Sequence, residues 1–127
     1  MEQRVCIDAG GVEFHAVLND TATARAIVDA LPIAGEANRW GGEIYFSIPV
    51  RVGLETGARD VLEAGEIGYW PPGTALCIFF GPTPASDGNE IRAASDVNIV
   101  GRIEGKLDAL WNVPDGAAVV ITRPAAH

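Results

Sequence analysis

The sequence lacks the features that mark several large classes of protein. Its 127 residues include a single lysine, Lys106, and the formal net charge is −8. A chain without a basic cluster repels phosphate backbones and anionic lipid surfaces, so we expect neither nucleic acid nor membranes as partners. No stretch approaches the ~20 consecutive apolar residues of a membrane-spanning helix, and the first residues do not resemble a signal peptide. We therefore expect a cytoplasmic protein.

Residues suited to metal binding or nucleophilic catalysis are also scarce. The histidines are His15 and the terminal His127, and the two cysteines, Cys6 and Cys77, lie far apart in apolar runs. No cysteines have the spacing of a metal site, and no serine lies in a G-x-S-x-G motif. We expect no cofactor. We interpret both cysteines as small buried residues, with a disulfide between them as the alternative.

Apolar patterning predicts one mainly β domain over residues 1–127. Short β-prone runs separated by glycine and proline recur along the chain, and "NDTATARAIVDALP" predicts a helix that begins near Thr21 and ends before Pro32. A second short helix is predicted within "GKLDALWNV". A closed barrel with a helix over each open end would account for all these elements. The clearest predicted strands lie within residues 4–18, 43–50, 75–80, 97–103 and 117–123.

The most unusual segment is "GEIGYWPPGTALCIFFGPTP", residues 65–84, which combines four prolines, four glycines and four large aromatic residues. Pro71 and Pro72 stiffen the backbone directly after Tyr69 and Trp70. Two interpretations remain open. The fixed aromatic side chains line a ligand cavity, or they form a rigid lid over the core.

Other residues suggest a ligand cleft beside this segment. Glu43 shares a strand face with Tyr45 in an otherwise apolar run, as polar groups in ligand pockets often do, although an exposed strand end is the alternative. In "ALCIFF", Cys77 and Phe79 share one face, and we predict that Phe79 faces the cleft. The predicted ligand-binding residues are Glu43, Tyr45, Tyr69, Trp70, Phe79 and Thr83.

Three segments, "GEIYFSIPV", "GEIGYWPPGTALCIFFGPTP" and "VNIVGRI", resemble a small, mostly uncharacterised family of bacterial and archaeal proteins with a cyclophilin-like fold. The resemblance extends over nearly the whole chain. It implies a mainly β fold, a closed cyclophilin-like barrel of about eight strands with one or two capping helices.

A fainter similarity connects the chain to true cyclophilins, which are prolyl isomerases. Their motif joins a Phe-His-Arg strand to a later Gln-Gly-Gly, whereas strand 43–50 has no arginine and Gln3 is the only glutamine. We therefore predict a module that binds a small molecule or a short peptide. The alternative is a divergent prolyl isomerase or other small enzyme that uses Glu43 and Arg39. A homo-oligomeric interaction barrel is a third alternative.

Overall fold

Strands dominate the computed structural model, which describes residues 3–124. The terminal His127 lies outside this range. Within it there are ten strands, one α-helix, α1 (Ala22–Asp29), and 3-10 turns at Pro71–Gly73 and Asp108–Asn112. None of the helices in this range is long and apolar enough to cross a membrane. The strands are β1 (Gln3–Ala9), β2 (Val12–Leu18), β3 (Ile33–Glu36), β4 (Asn38–Arg39), β5 (Glu43–Ser47), β6 (Arg59–Leu62), β7 (Glu66–Trp70), β8 (Ala75–Phe79), β9 (Ile91–Glu104) and β10 (Ala118–Thr122).

The strands pair in the order β3-β10-β1-β2-β9-β7-β8-β5-β4. The mainly β prediction is confirmed, but the structure has ten strands where about eight were predicted, and closure into a barrel is not confirmed. Within residues 3–124, the end strands β3 and β4 are not paired with each other, because they follow one another along the chain with only Ala37 between them. The edges nevertheless approach, since a Cβ on Gly35 of β3 would lie 3.3 Å from the Ser47 carbonyl of β5.

The strands predicted within residues 4–18 form an N-terminal hairpin, and the predicted helix follows it. β1 and β2 pair across Gly10 and Gly11, whose φ angles of 62° and 87° suit a tight turn. Thr21 caps α1 by accepting a hydrogen bond from the backbone N–H of Ala24 at 3.1 Å. The helix ends three residues before Pro32, as the sequence predicted.

Two groups of buried side chains lie on opposite faces of the sheet, and β8 belongs to both. Leu76 and Ile78 lie in the main core, together with residues of β1, β2, β10 and α1. Cys77 and Phe79 lie in a smaller second cluster on the other face. Strand β6 pairs with the first half of the 14-residue β9, and this two-stranded ribbon packs over the second cluster. Burial on both faces explains why "ALCIFF" shows no polar alternation.

A buried polar network attaches the loop between β5 and β6 to the helix. The fully buried Asn98 donates to the hydroxyl of Thr23 at 3.0 Å and to the Gly53 carbonyl at 2.9 Å, and it accepts from the Glu55 N–H at 2.8 Å. The Glu55 carboxylate accepts from the Thr23 backbone at 3.0 Å and from its hydroxyl at 2.6 Å. Each of the three side chains makes at least two hydrogen bonds, and this network holds the loop in place.

A close contact between two backbone segments fixes the turn between β4 and β5. Gly42 donates to the Pro82 carbonyl at 2.7 Å, and its own carbonyl accepts from Phe80 at 2.8 Å and Gly81 at 3.0 Å. A Cβ on Gly42 would lie 2.3 Å from the Gly81 carbonyl carbon, so only glycine fits. The contact holds the start of β5, and therefore Glu43, in position.

We expect Gly42→Ala to destabilise the protein by about 3 kcal/mol, because the new methyl group overlaps backbone that has no room to move. The matched control is Gly57→Ala, where an added Cβ would meet nothing within 4 Å. Urea unfolding of both variants measures the difference. Equal stabilities of the two variants would show that the turn at Gly42 adapts easily.

Candidate functional site

A cleft of about 170 Å³ opens on the face of the sheet that carries the second cluster. We call it the aromatic cleft. Its mostly apolar lining comes from the β4–β5 turn and from strands β5, β7, β8 and β9, with one carboxyl group among aromatic and small side chains. The lining residues are Trp40, Glu43, Tyr45, Trp70, Cys77, Ala93, Ala94 and Val97.

Strand register brings these side chains to one face. Glu43 and Tyr45 are two residues apart on β5, so they share a face. Tyr45 pairs with Cys77 of β8, and Cys77 pairs with Gly68 of β7. Trp70, two residues after Gly68, therefore lies on the same side. Antiparallel pairing of β5, β8 and β7 thus brings together residues as far apart in the sequence as Glu43 and Cys77.

Because Gly68 has no side chain, β9 can pack closely against β7 at the side of the cleft. A Cβ at this position would lie 2.6 Å from a methyl carbon of Val97 and 3.4 Å from the Phe79 ring. Glycine therefore permits the first half of β9 to pack directly on β7 and β8. The β9 residues that line the cleft depend on this approach.

Glu43 is the one carboxyl group in the cleft lining. It is only 5% exposed, and its Oε1 has no hydrogen-bond partner within the described chain. Burial raises the pKa of Glu43 to about 7, and a weaker opposing effect comes from hydrogen bonding to Cys77. The carboxyl group is therefore close to half ionised at neutral pH.

Cys77 lies beside Glu43 and is 3% exposed. Burial raises the pKa of the Cys77 thiol well above its usual value, and the negative charge of Glu43 raises it further. The thiol is therefore protonated at neutral pH, and it is neither a reactive thiolate nor a soft metal ligand in this state. Both cysteines are free, so the alternative of a disulfide between Cys6 and Cys77 is excluded.

Trp70 is held at the edge of the cleft from two sides. Its indole N–H donates to the hydroxyl of Ser95 at 2.7 Å. Its ring lies against Gly73, where a Cβ would be 2.8 Å from the ring atoms. Pro71 begins the 3-10 turn between Trp70 and Gly73. Of the two aromatic side chains that precede the prolines, Trp70 lines the cleft and Tyr69 lies in the main core.

Three of the predicted contact residues do not line the cleft. Tyr69 points to the other face of β7, where its buried hydroxyl donates to the Val50 carbonyl at 2.6 Å. Phe79 is fully buried in the second cluster beneath the cleft. Thr83 is buried in the loop before β9, where its hydroxyl donates to the Arg92 carbonyl. The structure therefore brings together Glu43, Tyr45 and Trp70 from the predicted set.

Sequence reasoning missed five lining residues, and two of them had a local signal. Cys77 shares a strand face with Phe79, the residue of β8 that was predicted to face the cleft. Trp40 and Glu43 flank the two-residue Gly-Gly turn, and the Trp40 N–H donates to the Glu43 carbonyl at 2.9 Å. Residues that flank such a turn lie opposite each other and share a face, so Trp40 could have been predicted beside Glu43. The other three, which had no comparable local signal, are Ala93, Ala94 and Val97.

Arg39, the other charged group considered for catalysis, lies away from the cleft. Its guanidinium donates to the carbonyls of Gly41 at 2.9 Å, Trp111 at 3.1 Å and Val113 at 3.0 Å. It also lies 5.3 Å from the ring centroids of Phe80 and Trp111. These contacts hold Arg39 on the side of the β4–β5 hairpin that faces away from the cleft. There the Arg39 side chain connects the hairpin to the segment before β10.

A second group of reactive residue types lies on the β1–β2 hairpin. The Cys6 sulfur is 3.6 Å from His15 Nδ1, and His15 Nε2 is 3.4 Å from a carboxylate oxygen of Glu13. His15 is exposed. None of the three residues lines the aromatic cleft. Across residues 3–124, no cluster of three or more histidine, cysteine, aspartate or glutamate side chains is arranged to hold a metal ion.

Comparisons with known proteins identify the family. A family model described as cyclophilin-like matches residues 3–122, so the chain belongs to the cyclophilin-like family. A similar solved structure is the solution structure of the hypothetical protein AF2241 from Archaeoglobus fulgidus, with 46% sequence identity and a TM-score of 0.80. The match covers 96% of this chain and 95% of that one. No curated protein gave a significant match.

The buried Glu43 predicts an unusual dependence of stability on pH. Since its pKa is raised from 4.5 to about 7 on folding, the folded state binds more protons than the unfolded state between these values. The free energy of unfolding therefore falls as pH rises through this window, by up to about 3 kcal/mol. We expect Glu43→Gln to remove this decline and to be more stable than the parent at pH 8.

Urea unfolding at half-unit steps from pH 5 to pH 8.5 measures this effect. The control is Glu36→Gln, a substitution at an exposed residue of β3 that should keep the decline. Parallel pH profiles for the parent and Glu43→Gln would contradict the assignment.

Proposed function

We propose that this protein is a binding module that holds a small organic molecule, or one side chain of a short peptide, in the aromatic cleft. The observation that carries the proposal is the carboxyl group of Glu43, which is buried in an apolar concavity with one oxygen lacking a protein partner. An unpaired buried polar group destabilises the fold, and a ligand that donates a hydrogen bond would compensate for it. The direct ligand contacts in this proposal are Glu43, Tyr45 and Trp70.

The size of the cleft supports a small ligand. A dry protein cavity of roughly 150 Å³ accommodates benzene, and the aromatic cleft has about 170 Å³. Drug-sized ligands usually occupy 300–1,000 Å³, roughly, so the cleft alone suits one ring or a short alkyl chain. In this proposal the remaining predicted residues support the site indirectly. Tyr69 packs in the main core, Phe79 forms part of the cleft floor, and Thr83 holds the loop before β9.

A shallow groove beside the cleft supports the peptide version of the proposal. Its lining includes Leu54, Pro71, Pro72 and Ser95, and it meets the aromatic cleft at Ala94. Leu54 is 58% exposed, although a large aliphatic side chain gains by burial. A peptide that places one side chain in the cleft would extend along this groove.

We expect Trp70→Ala to weaken ligand binding at least tenfold, about 1.4 kcal/mol, because it removes one aromatic wall of the cleft. Titration of ¹⁵N-labelled protein with phenol, benzyl alcohol and N-acetylpyrrolidine measures this by chemical-shift changes. The matched control is Trp111→Ala, which removes a tryptophan outside the cleft that is 48% exposed. Unchanged binding by a folded Trp70→Ala variant would contradict the proposal, and far-ultraviolet circular dichroism checks the fold of each variant.

A second candidate function is acid–base catalysis in the same cleft. A carboxyl group with a pKa of about 7 in a pocket is suited to exchange protons at neutral pH. The observed position of Arg39 gives less support to an isomerase of the cyclophilin kind, since that chemistry uses an arginine near the twisting amide. Glu43 is therefore the one residue on which this second candidate depends.

Exchange spectroscopy of Xaa-Pro peptides mixed with the protein tests the isomerase form of this candidate. Uncatalysed cis–trans exchange takes tens of seconds or longer, so catalysis is readily detected. Faster exchange that is lost in Glu43→Gln would establish an enzyme. Peptide-induced shifts at Tyr45 and Trp70 without faster exchange would instead favour the binding module.

A further inference from the structure

We propose that the aromatic cleft recognises a primary alkylammonium group, which donates its N–H hydrogen bonds to the carboxylate of Glu43 among the surrounding aromatic rings. This inference rests on the proposed binding function and specifies the chemical class of the ligand. It predicts selection for a positive charge, for N–H donors and for a short alkyl chain.

The first argument is the unpaired oxygen of Glu43. A carboxylate oxygen is an acceptor only, so its complement must be a donor, and donors with a positive charge form the stronger hydrogen bonds. Glu43 is 5% exposed, which leaves little water to compete with a ligand at the carboxylate. A primary ammonium has three N–H donors, whereas a quaternary ammonium has none.

The second argument is the aromatic lining. Trp40, Tyr45 and Trp70 contribute to a cleft of about 170 Å³, so a cation that reaches Glu43 lies beside aromatic rings. Tryptophan and tyrosine attract cations through the negative faces of their rings, most strongly when water is excluded. The same rings and the nearby Val97 provide an apolar surface for an alkyl chain.

The third argument is the absence of a competing cation. The cleft is lined within the described chain by no lysine, arginine or histidine, and Arg39 is held by carbonyl groups on the other side of the hairpin. The net charge of −8 also draws cations toward the protein and repels anions. Both the cleft and the whole molecule therefore favour a cationic ligand.

The inference predicts a specific pH dependence of affinity. The cation binds the ionised form of Glu43. Because the pKa of Glu43 is about 7, the ionised fraction of this residue rises about tenfold from pH 6 to pH 8. The other titratable side chains facing Glu43 are Tyr45 on β5 and Cys77 on β8, and the turn, β7 and β9 present no titratable group to the cleft. We therefore assign the predicted pH dependence to Glu43.

The experiment is a ¹⁵N NMR titration of the full chain with n-butylammonium, 1-butanol and butyrate at pH 8 and constant ionic strength. We expect n-butylammonium to bind at least tenfold tighter than 1-butanol, butyrate not to bind, and shifts to concentrate at Glu43, Tyr45, Trp70 and Val97. Tetramethylammonium should bind less tightly than n-butylammonium because it has no N–H donor. The n-butylammonium affinity should fall about tenfold at pH 6.

Two variants distinguish cleft recognition from general attraction to an acidic surface. Glu43→Gln should lose both the preference for n-butylammonium over 1-butanol and the pH dependence. Glu36→Gln, which also removes one acidic side chain but at an exposed site, should keep both properties. Shifts scattered over exposed acidic residues, or a Glu36→Gln variant that behaves like Glu43→Gln, would overturn the inference.

The outcomes separate this inference from the proposed function. Neutral fragments that bind the cleft at least as tightly as n-butylammonium would overturn ammonium recognition and leave the binding module intact. If none of the neutral or cationic probes shifts the cleft resonances, both conclusions fail. A preference for n-butylammonium that is lost in Glu43→Gln supports both.

One further pair of probes identifies the source of the ammonium group. A free amine and a lysine side chain share this chemistry, so acetyl-Ala-Lys-Ala-amide is compared with its norleucine analogue and with n-butylammonium. Tighter binding of the lysine peptide than of n-butylammonium supports a peptide ligand that also uses the groove at Leu54 and Pro72. Tighter binding of n-butylammonium supports a small metabolite. Equal binding of the lysine and norleucine peptides overturns the inference.

Discussion

Strand β8 is buried on both faces, and this constraint connects the core of the protein to its cleft. One face, with Leu76 and Ile78, packs into the main core, and the other face, with Cys77 and Phe79, forms the base of the second cluster. Because close-packed interiors transmit changes in side-chain volume, β8 joins the geometry of the cleft to the packing of the core. The main core also includes Tyr69, while Trp70 lies on the cleft side of neighbouring β7.

Glu43 differs from the other partly buried acidic residues of this region. Although burial raises the pKa of Glu66, hydrogen bonds from Arg59 at 2.8 and 2.6 Å hold it below its usual value. Asp60 is paired with Arg92 at 2.7 Å. Glu43 has no such partner, so its burial destabilises the fold in the ionised state. Residues that violate local packing rules in this way are concentrated at functional sites, which is why the proposals centre on Glu43.

Much of the fold and part of the cleft could be predicted from the sequence. The hairpin around Gly10, the helix capped by Thr21 and the shared face of Glu43 and Tyr45 all follow from local periodicity and turn chemistry. The same periodicity indicated that Tyr69 and Trp70 point to opposite faces, so grouping both in one ligand site went against the pattern. The alanines of β9 had no local signal, because small residues on a strand are common in any β protein.

The sequence by itself determined the mainly β class and the residues that alternate on each strand, because these depend on side-chain chemistry over a few neighbouring positions. The family was indicated separately, by the resemblance of three segments to its members. Only the tertiary structure decided the order of the strands, the packing of β9 over β7 and β8, and the burial of Glu43 with an Oε1 atom that has no hydrogen-bond partner within the described chain. The physical reason is that these features depend on contacts between distant segments, such as Gly42 with Gly81 and Gly68 with Val97. Local sequence patterns do not predict that other segments approach the backbone closely at these glycines. These close contacts place the carboxyl group of Glu43 in the aromatic cleft.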